Sequence, residues 1–103
     1  MRNGTTTQSL IFKARLQAEN ELKEKRELLK IWEENVQHSM TEVNVLEHLW
    51  ETGNAEISKA LDNAYLKHDR NERIYNKVRI EVNNLEKGID ALETAEWFLE
   101  PEW

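Results

Sequence analysis

The chain has no cysteine, a single proline and only three glycines among its 103 residues. Without a thiol there is no disulfide framework, no thiol nucleophile and no zinc-thiolate site. So few helix breakers, with 39% hydrophobic and 33% charged residues, favour one all-α domain. Long apolar runs are missing as well. None approaches the ~20 residues of a membrane span, and Met1-Arg2-Asn3-Gly4-Thr5-Thr6-Thr7 leads into no leader-like hydrophobic stretch. A cytoplasmic protein without membrane insertion is expected. Basic charge is outnumbered, 14 Lys and Arg against 20 Asp and Glu for a net of -6. A phosphate-backbone binder draws its affinity from a net basic face, so nucleic acid is not an expected partner. Glycine-rich phosphate loops and Gly-x-Ser-x-Gly elbows are absent, no carboxylate pair stands out from the rest, and the three histidines show no metal-ligand spacing. Neither an enzyme nor a bound cofactor or metal is expected.

What the chain does have is apolar periodicity. From Ile11 to Trp50 neither proline nor glycine intervenes, and a heptad frame fits. Leu22, Leu29, Val36, Val43 and Trp50 hold one seam position, with Ile11, Ala18, Trp32 and Leu46 at the other. Arg15, Lys25 and Ser39 are its polar exceptions. Thr52-Gly53-Asn54 then breaks the pattern, where Gly53 can take the left-handed conformation that closes a helix and Asn54 can cap the next. Beyond it Ile57, Leu61, Ala64, His68, Asn71, Tyr75, Val78, Val82, Leu85, Ile89 and Leu92 alternate by four and three. Pro101 forbids continuation. Gly88 interrupts this helix as a weak point or a site of close approach.

The fold expected is a long antiparallel two-helix hairpin, coiled-coil-like, with helices over about 10–51 and 55–98. Residues 1–8 form a flexible arm ending at a Ser9 cap, 9–99 the hairpin domain and 100–103 a tail. Positions whose numbers total roughly 105 should share a level, given a turn at 52–54. Ser39 then approaches His68 and Asn71, a polar layer of the kind that fixes register. The basic stretch Lys67, Arg70, Arg73, Lys77 and Arg79 is expected to pair with Glu27, Glu33, Glu34 and Glu42 on the facing helix, and Glu19 with Lys23 along its own.

Two helices alone bury little, so a protein partner is expected to complete the core. Beside the seam the first helix carries Leu28, Ile31, Val45 and Leu49, interrupted by Asn35, His38 and Glu42. The second helix carries Leu66, Ile74 and Ile80 off its seam. Another hairpin docking here, as homodimer or heteromer, competes with the reading that these are scattered surface apolar residues. At the end of the chain, Trp97, Phe98 and Trp103 are either a recognition tail or, for Trp97 and Phe98, residues packed back near Ile11 and Phe12.

About a hundred residues in a helical hairpin, a mid-chain turn reading Leu49-Trp50-Glu51-Thr52-Gly53, and the segments Tyr65-Leu66-Lys67-His68-Asp69 and Phe98-Leu99-Glu100-Pro101-Glu102 carry a resemblance. The chain resembles the small WXG-like helical-hairpin proteins of type VII secretion, in particular the α-helical proteins associated with LXG toxins in Gram-positive bacteria. Trp50 and Gly53 are separated by two residues, where a WXG turn has one. The resemblance implies a targeting factor or chaperone that pairs with the helical N-terminal region of an LXG-type toxin, with or without a second small helical protein. It further implies that Trp50 and Gly53 brace the turn and that Tyr65, Asp69, Trp97, Phe98, Glu102 and Trp103 serve export or recognition, with co-secretion as one outcome. A cytoplasmic inhibitor of the immunity type and a self-assembling structural coiled coil are the alternatives.

Overall fold

The computed structural model describes residues 6–99. Two helices account for nearly all of them, α1 (Thr7–Glu51) and α2 (Ile57–Phe98), the all-α two-helix hairpin that the heptad spacing predicts. No described helix is long and apolar enough to cross a membrane.

α1 opens earlier than expected. The Thr6 hydroxyl accepts the Ser9 N–H at 3.1 Å, and its carbonyl accepts from Leu10. Thr6 is therefore the N-cap, while Ser9 occupies the third helical position and donates to it. The turn is also longer than the expected three residues. Gly53, at φ 92°, is the only described residue with positive φ, and its N–H donates to the Trp50 carbonyl at 3.0 Å. The Thr52 hydroxyl donates to the Leu49 carbonyl at 2.7 Å, and the Asn54 side-chain oxygen accepts the Glu56 N–H at 3.1 Å. Gly53 and Asn54 thus do what their chemistry suggests, but regular helix resumes only at Ile57. The cross-helix register nonetheless stays close to the expected one, since Ser39 meets His68, Asn35 meets Asn71 and Lys25 meets Glu81. Long side chains reach beyond their own level, Tyr65 to Glu47 and Arg15 to Glu96.

Contacts divide the chain into two compact units, Leu28–Arg79 and Met1–Glu27 with Ile80–Trp103. Within the first, Val43, Leu61, Ala64 and Val78 are buried, and Ser39 is more so, only 1% exposed. The remaining seam residues of this unit, Leu29, Trp32, Val36, Leu46, Ile57, His68, Asn71 and Tyr75, are partly covered. Trp50 is the exception at 47% exposure. The seam position predicted for it lies in the last turn of α1, and residues 52–56 offer no helix to lie against its indole.

In the second unit, Leu22, Val82 and Ile89 are buried, with Ile11, Ala18, Leu85 and Leu92 partly so. The two cations at seam positions are each answered from α2. Arg15 donates to Glu96 at 2.7 Å and to Glu19 at 2.6 Å, and Lys25 to Glu81 at 3.1 Å. The bonds to Glu96, then to Glu19, favour the charged guanidinium. Because Arg15 claims Glu19, the expected Glu19–Lys23 pair does not form. Arg26 and Glu86 add a further bridge at 2.9 Å. At Gly88 an added Cβ would meet nothing within 4 Å, so this glycine serves no close approach.

Candidate functional site

The polar level in the middle of residues 28–79 is satisfied atom by atom. Ser39 Oγ lies 2.8 Å from His68 Nδ1 and 3.0 Å from the Val36 carbonyl, and His68 Nε2 lies 3.2 Å from Glu72. The Ser39 hydroxyl has one proton, given either to the Val36 carbonyl or to Nδ1, so the direction of the Ser39–His68 bond follows the histidine tautomer. Asn71 Nδ2 donates to the Asn35 carbonyl at 3.2 Å. Among the described residues no buried side-chain nitrogen or oxygen lacks a partner. The grouping of Ser39, His68 and Asn71 expected from the register is thus present, and it reaches further, to Asn35 and Glu72. A histidine so tied is a structural member of the helix pair.

The off-seam apolar residues take the positions that the helical repeat gives them. Leu28, Ile31, Val45 and Leu49 on α1 are all exposed, Ile31 and Val45 by about half, and Leu66 on α2 by 69%. Ile74 is partly covered, being nearest the seam. Leu28, Ile31, Asn35, His38, Glu42, Val45 and Leu49 alternate by three and four, a second stripe parallel to the seam. Its apolar members lie at its two ends and polar ones in its middle. A concavity of about 550 Å³ opens there, lined by Glu34, Gln37, His38, Thr41, Glu42, Val45 and Leu46. The Glu42–Lys67 bridge, at 3.5 Å, flanks the same side of the seam.

Of the ion pairs expected for the basic stretch of α2, Glu42–Lys67 is the one that forms. Arg73 turns instead to Asp69 on its own helix at 2.8 Å. Arg70, Lys77 and Arg79 have no ion-pair partner among the described residues.

Tyr65 and Asp69 match an aromatic-x-x-x-acid spacing, and both are engaged within the chain. The Tyr65 hydroxyl donates to Glu47 at 2.7 Å, and this bond holds the phenol above its usual range. Asp69 is the partner of Arg73. Trp97 and Phe98 are 73% and 76% exposed, so they do not fold back as core. Trp97 and Phe12 line one shallow groove with Thr6, Gln8, Ser9, Glu93 and Glu96, and Arg15 lies over the Phe12 ring, 5.6 Å from its centroid. Glu102 and Trp103 lie outside the described residues. Among those described, no group of three or more His, Cys, Asp or Glu is placed to hold a metal ion.

No protein-family model, curated protein or solved structure matches this chain.

Proposed function

We propose that the chain is a non-catalytic helical adaptor that binds the helical N-terminal region of an LXG-type toxin and helps deliver it to the type VII secretion system. The observation that carries the docking part is the second stripe of α1. Leu28, Ile31, Val45 and Leu49 stand exposed on a regular helix, at the spacing by which an amphipathic partner helix is gripped. A pair of helices has no third layer to cover such a stripe, and apolar surface in a row is worth about 25 cal/mol per Å² when removed from water. The identity of the partner rests on the WXG-like turn and the aromatic-acid spacings. Export with the toxin would use the exposed Trp97 and Phe98, because Tyr65 and Asp69 are already bound within the chain.

The test is co-expression with the large protein encoded beside it, when that protein begins with a helical region. The adaptor is expected to co-purify with that region, and Ile31→Asp with Val45→Asp should abolish co-purification while leaving helicity unchanged. An adaptor that purifies alone, from cells making both proteins, sinks the assignment.

A further inference from the structure

In the unit of Met1–Glu27 with Ile80–Trp103, the first turns of α1 and the last turns of α2 border an open groove of about 560 Å³. The last turn of α2 holds no lysine or arginine, and Glu93 and Glu96 line the groove near a helix C-terminus that itself carries partial negative charge. A cation is what such an end lacks.

One cation is already in place beside it. Arg15 lies over the Phe12 ring, 5.6 Å from its centroid, and donates to Glu96 at 2.7 Å. An aromatic face and a carboxylate thus hold this guanidinium together. The same two groups recur alongside. Glu93 and Trp97 both line the groove and stand four apart on α2, so they share one face of it, a turn from each other. Trp97 is 73% exposed, and Glu93 has no ion-pair partner among the described residues. Indole is the best of the aromatic rings for a cation. Arginine is the side chain that both stacks on a ring and forks onto a carboxylate. α1 supplies the opposite polarity, because its first turn also borders the groove. There Thr6 accepts the Ser9 N–H, whereas helix geometry leaves the Gln8 N–H without an intrahelical acceptor. That N–H can donate to the carbonyl of a bound peptide.

We infer that this groove binds an arginine carried on an extended segment of another protein. The guanidinium stacks on Trp97 and donates to Glu93, and a carbonyl of the segment accepts from Gln8. Acidic segments are repelled by Glu93 and Glu96, and lysine, a point charge without a planar face, binds less well. The groove lies outside the α1 stripe of residues 28–49, so this binding does not depend on the toxin reading. It gives Trp97 a ligand whether or not the chain is exported.

NMR titration of the isotope-labelled full-length chain with the peptide acetyl-Gly-Leu-Ala-Arg-Ala-Leu-Gly-amide tests this. The Gln8, Ser9 and Phe12 amide signals should shift saturably, while those of Val43 and Leu61 in the other unit stay in place. Citrulline in place of the arginine keeps the shape and removes the charge, and should weaken binding at least fivefold, the order expected for an exposed stack and ion pair together. Glu93→Gln and Trp97→Leu should each weaken it at least threefold. Both side chains are exposed, and circular dichroism checks that helicity is unchanged. Arginine amide alone should bind at least fivefold more weakly than the peptide, because it lacks the flanking backbone. Arg2→Ala removes the one cation of residues 1–5 and should leave the affinity unchanged. A fivefold gain on Arg2→Ala makes the chain's own arm the occupant and overturns the proposal. Arginine amide binding as well as the peptide, equal affinity for the arginine and citrulline peptides, or no shift with either, overturns it too.

Discussion

Ser39→Ala should cost more stability than its size suggests, and the reason lies in who is left without a partner. Ser39 is the most buried residue described, at 1% exposure, and the His68 side chain beside it is 11% exposed. Losing the hydroxyl leaves Nδ1 of His68 facing a methyl group across a gap closed to water. An unsatisfied buried polar group costs about 1–3 kcal/mol, and alanine returns roughly 0.5 kcal/mol through its better helix propensity. The net loss should be about 1–2 kcal/mol. His68→Leu makes the opposite case. The Ser39 hydroxyl then has the Val36 carbonyl at 3.0 Å as an acceptor for its proton, leucine fills a similar volume, and the lost bond to the exposed Glu72 is an i,i+4 pair worth about 0.3 kcal/mol. The double variant Ser39→Ala/His68→Leu removes both polar groups together and should be more stable than Ser39→Ala alone. Urea unfolding followed by circular dichroism at 222 nm gives all three free energies and their coupling. If Ser39→Ala proves no worse than His68→Leu, the hydrogen-bond accounting at this level is wrong.

Three further outcomes follow from particular geometries. Gly88→Ala should raise stability by about 1 kcal/mol, since the site is open and helical, and the urea midpoint will show it. Gly53→Ala should lower stability by about 1–2 kcal/mol, because φ of 92° is strained for an L side chain even with empty space around it; an unchanged midpoint would contradict that. Glu47→Gln should bring the Tyr65 phenol back toward its ordinary range, because the carboxylate that stabilises the protonated form is gone. Tyrosinate absorbance against pH should then rise earlier than in the wild type. The sign for the intact pair is that a raised folded value favours the folded state below the phenol's normal titration. That contribution disappears as pH climbs through the raised value.

The seam could be read from sequence because a strict alternation of threes and fours admits one buried face, and every α2 position in that frame is at least partly covered. Gly53 and Asn54 were legible for the same kind of reason, each having a single-residue conformational or capping preference. Boundaries were less so. Thr6 and Ser9 both suit an N-cap, and only geometry shows that Thr6 accepts while Ser9 donates. Trp50 continued the heptad in spacing, but burial requires something to lie against, and the turn through residue 56 leaves it bare. Ion pairs were hardest, since each long side chain chooses among several acids within reach. Arg15 took Glu19 one turn along its own helix and also Glu96 from the other, the second of which no one-helix count anticipates. The one available signal was that a cation at a seam position needs an acid at its level on the other helix. The docking stripe was visible as spacing, whereas the Glu42–Lys67 bridge beside it was one of several pairings the spacing allowed.

The central claim is that the stripe of Leu28, Ile31, Val45 and Leu49 grips a helical partner. Calorimetric titration of the proposed partner, the helical N-terminal region of a large protein encoded beside this chain, into the wild-type chain and into Ile31→Asp/Val45→Asp tests it most directly. A saturable isotherm is expected for the wild type and an affinity at least tenfold weaker for the variant, a loss of about 1.4 kcal/mol or more. Equal affinity for both, or no binding to the wild type, contradicts it.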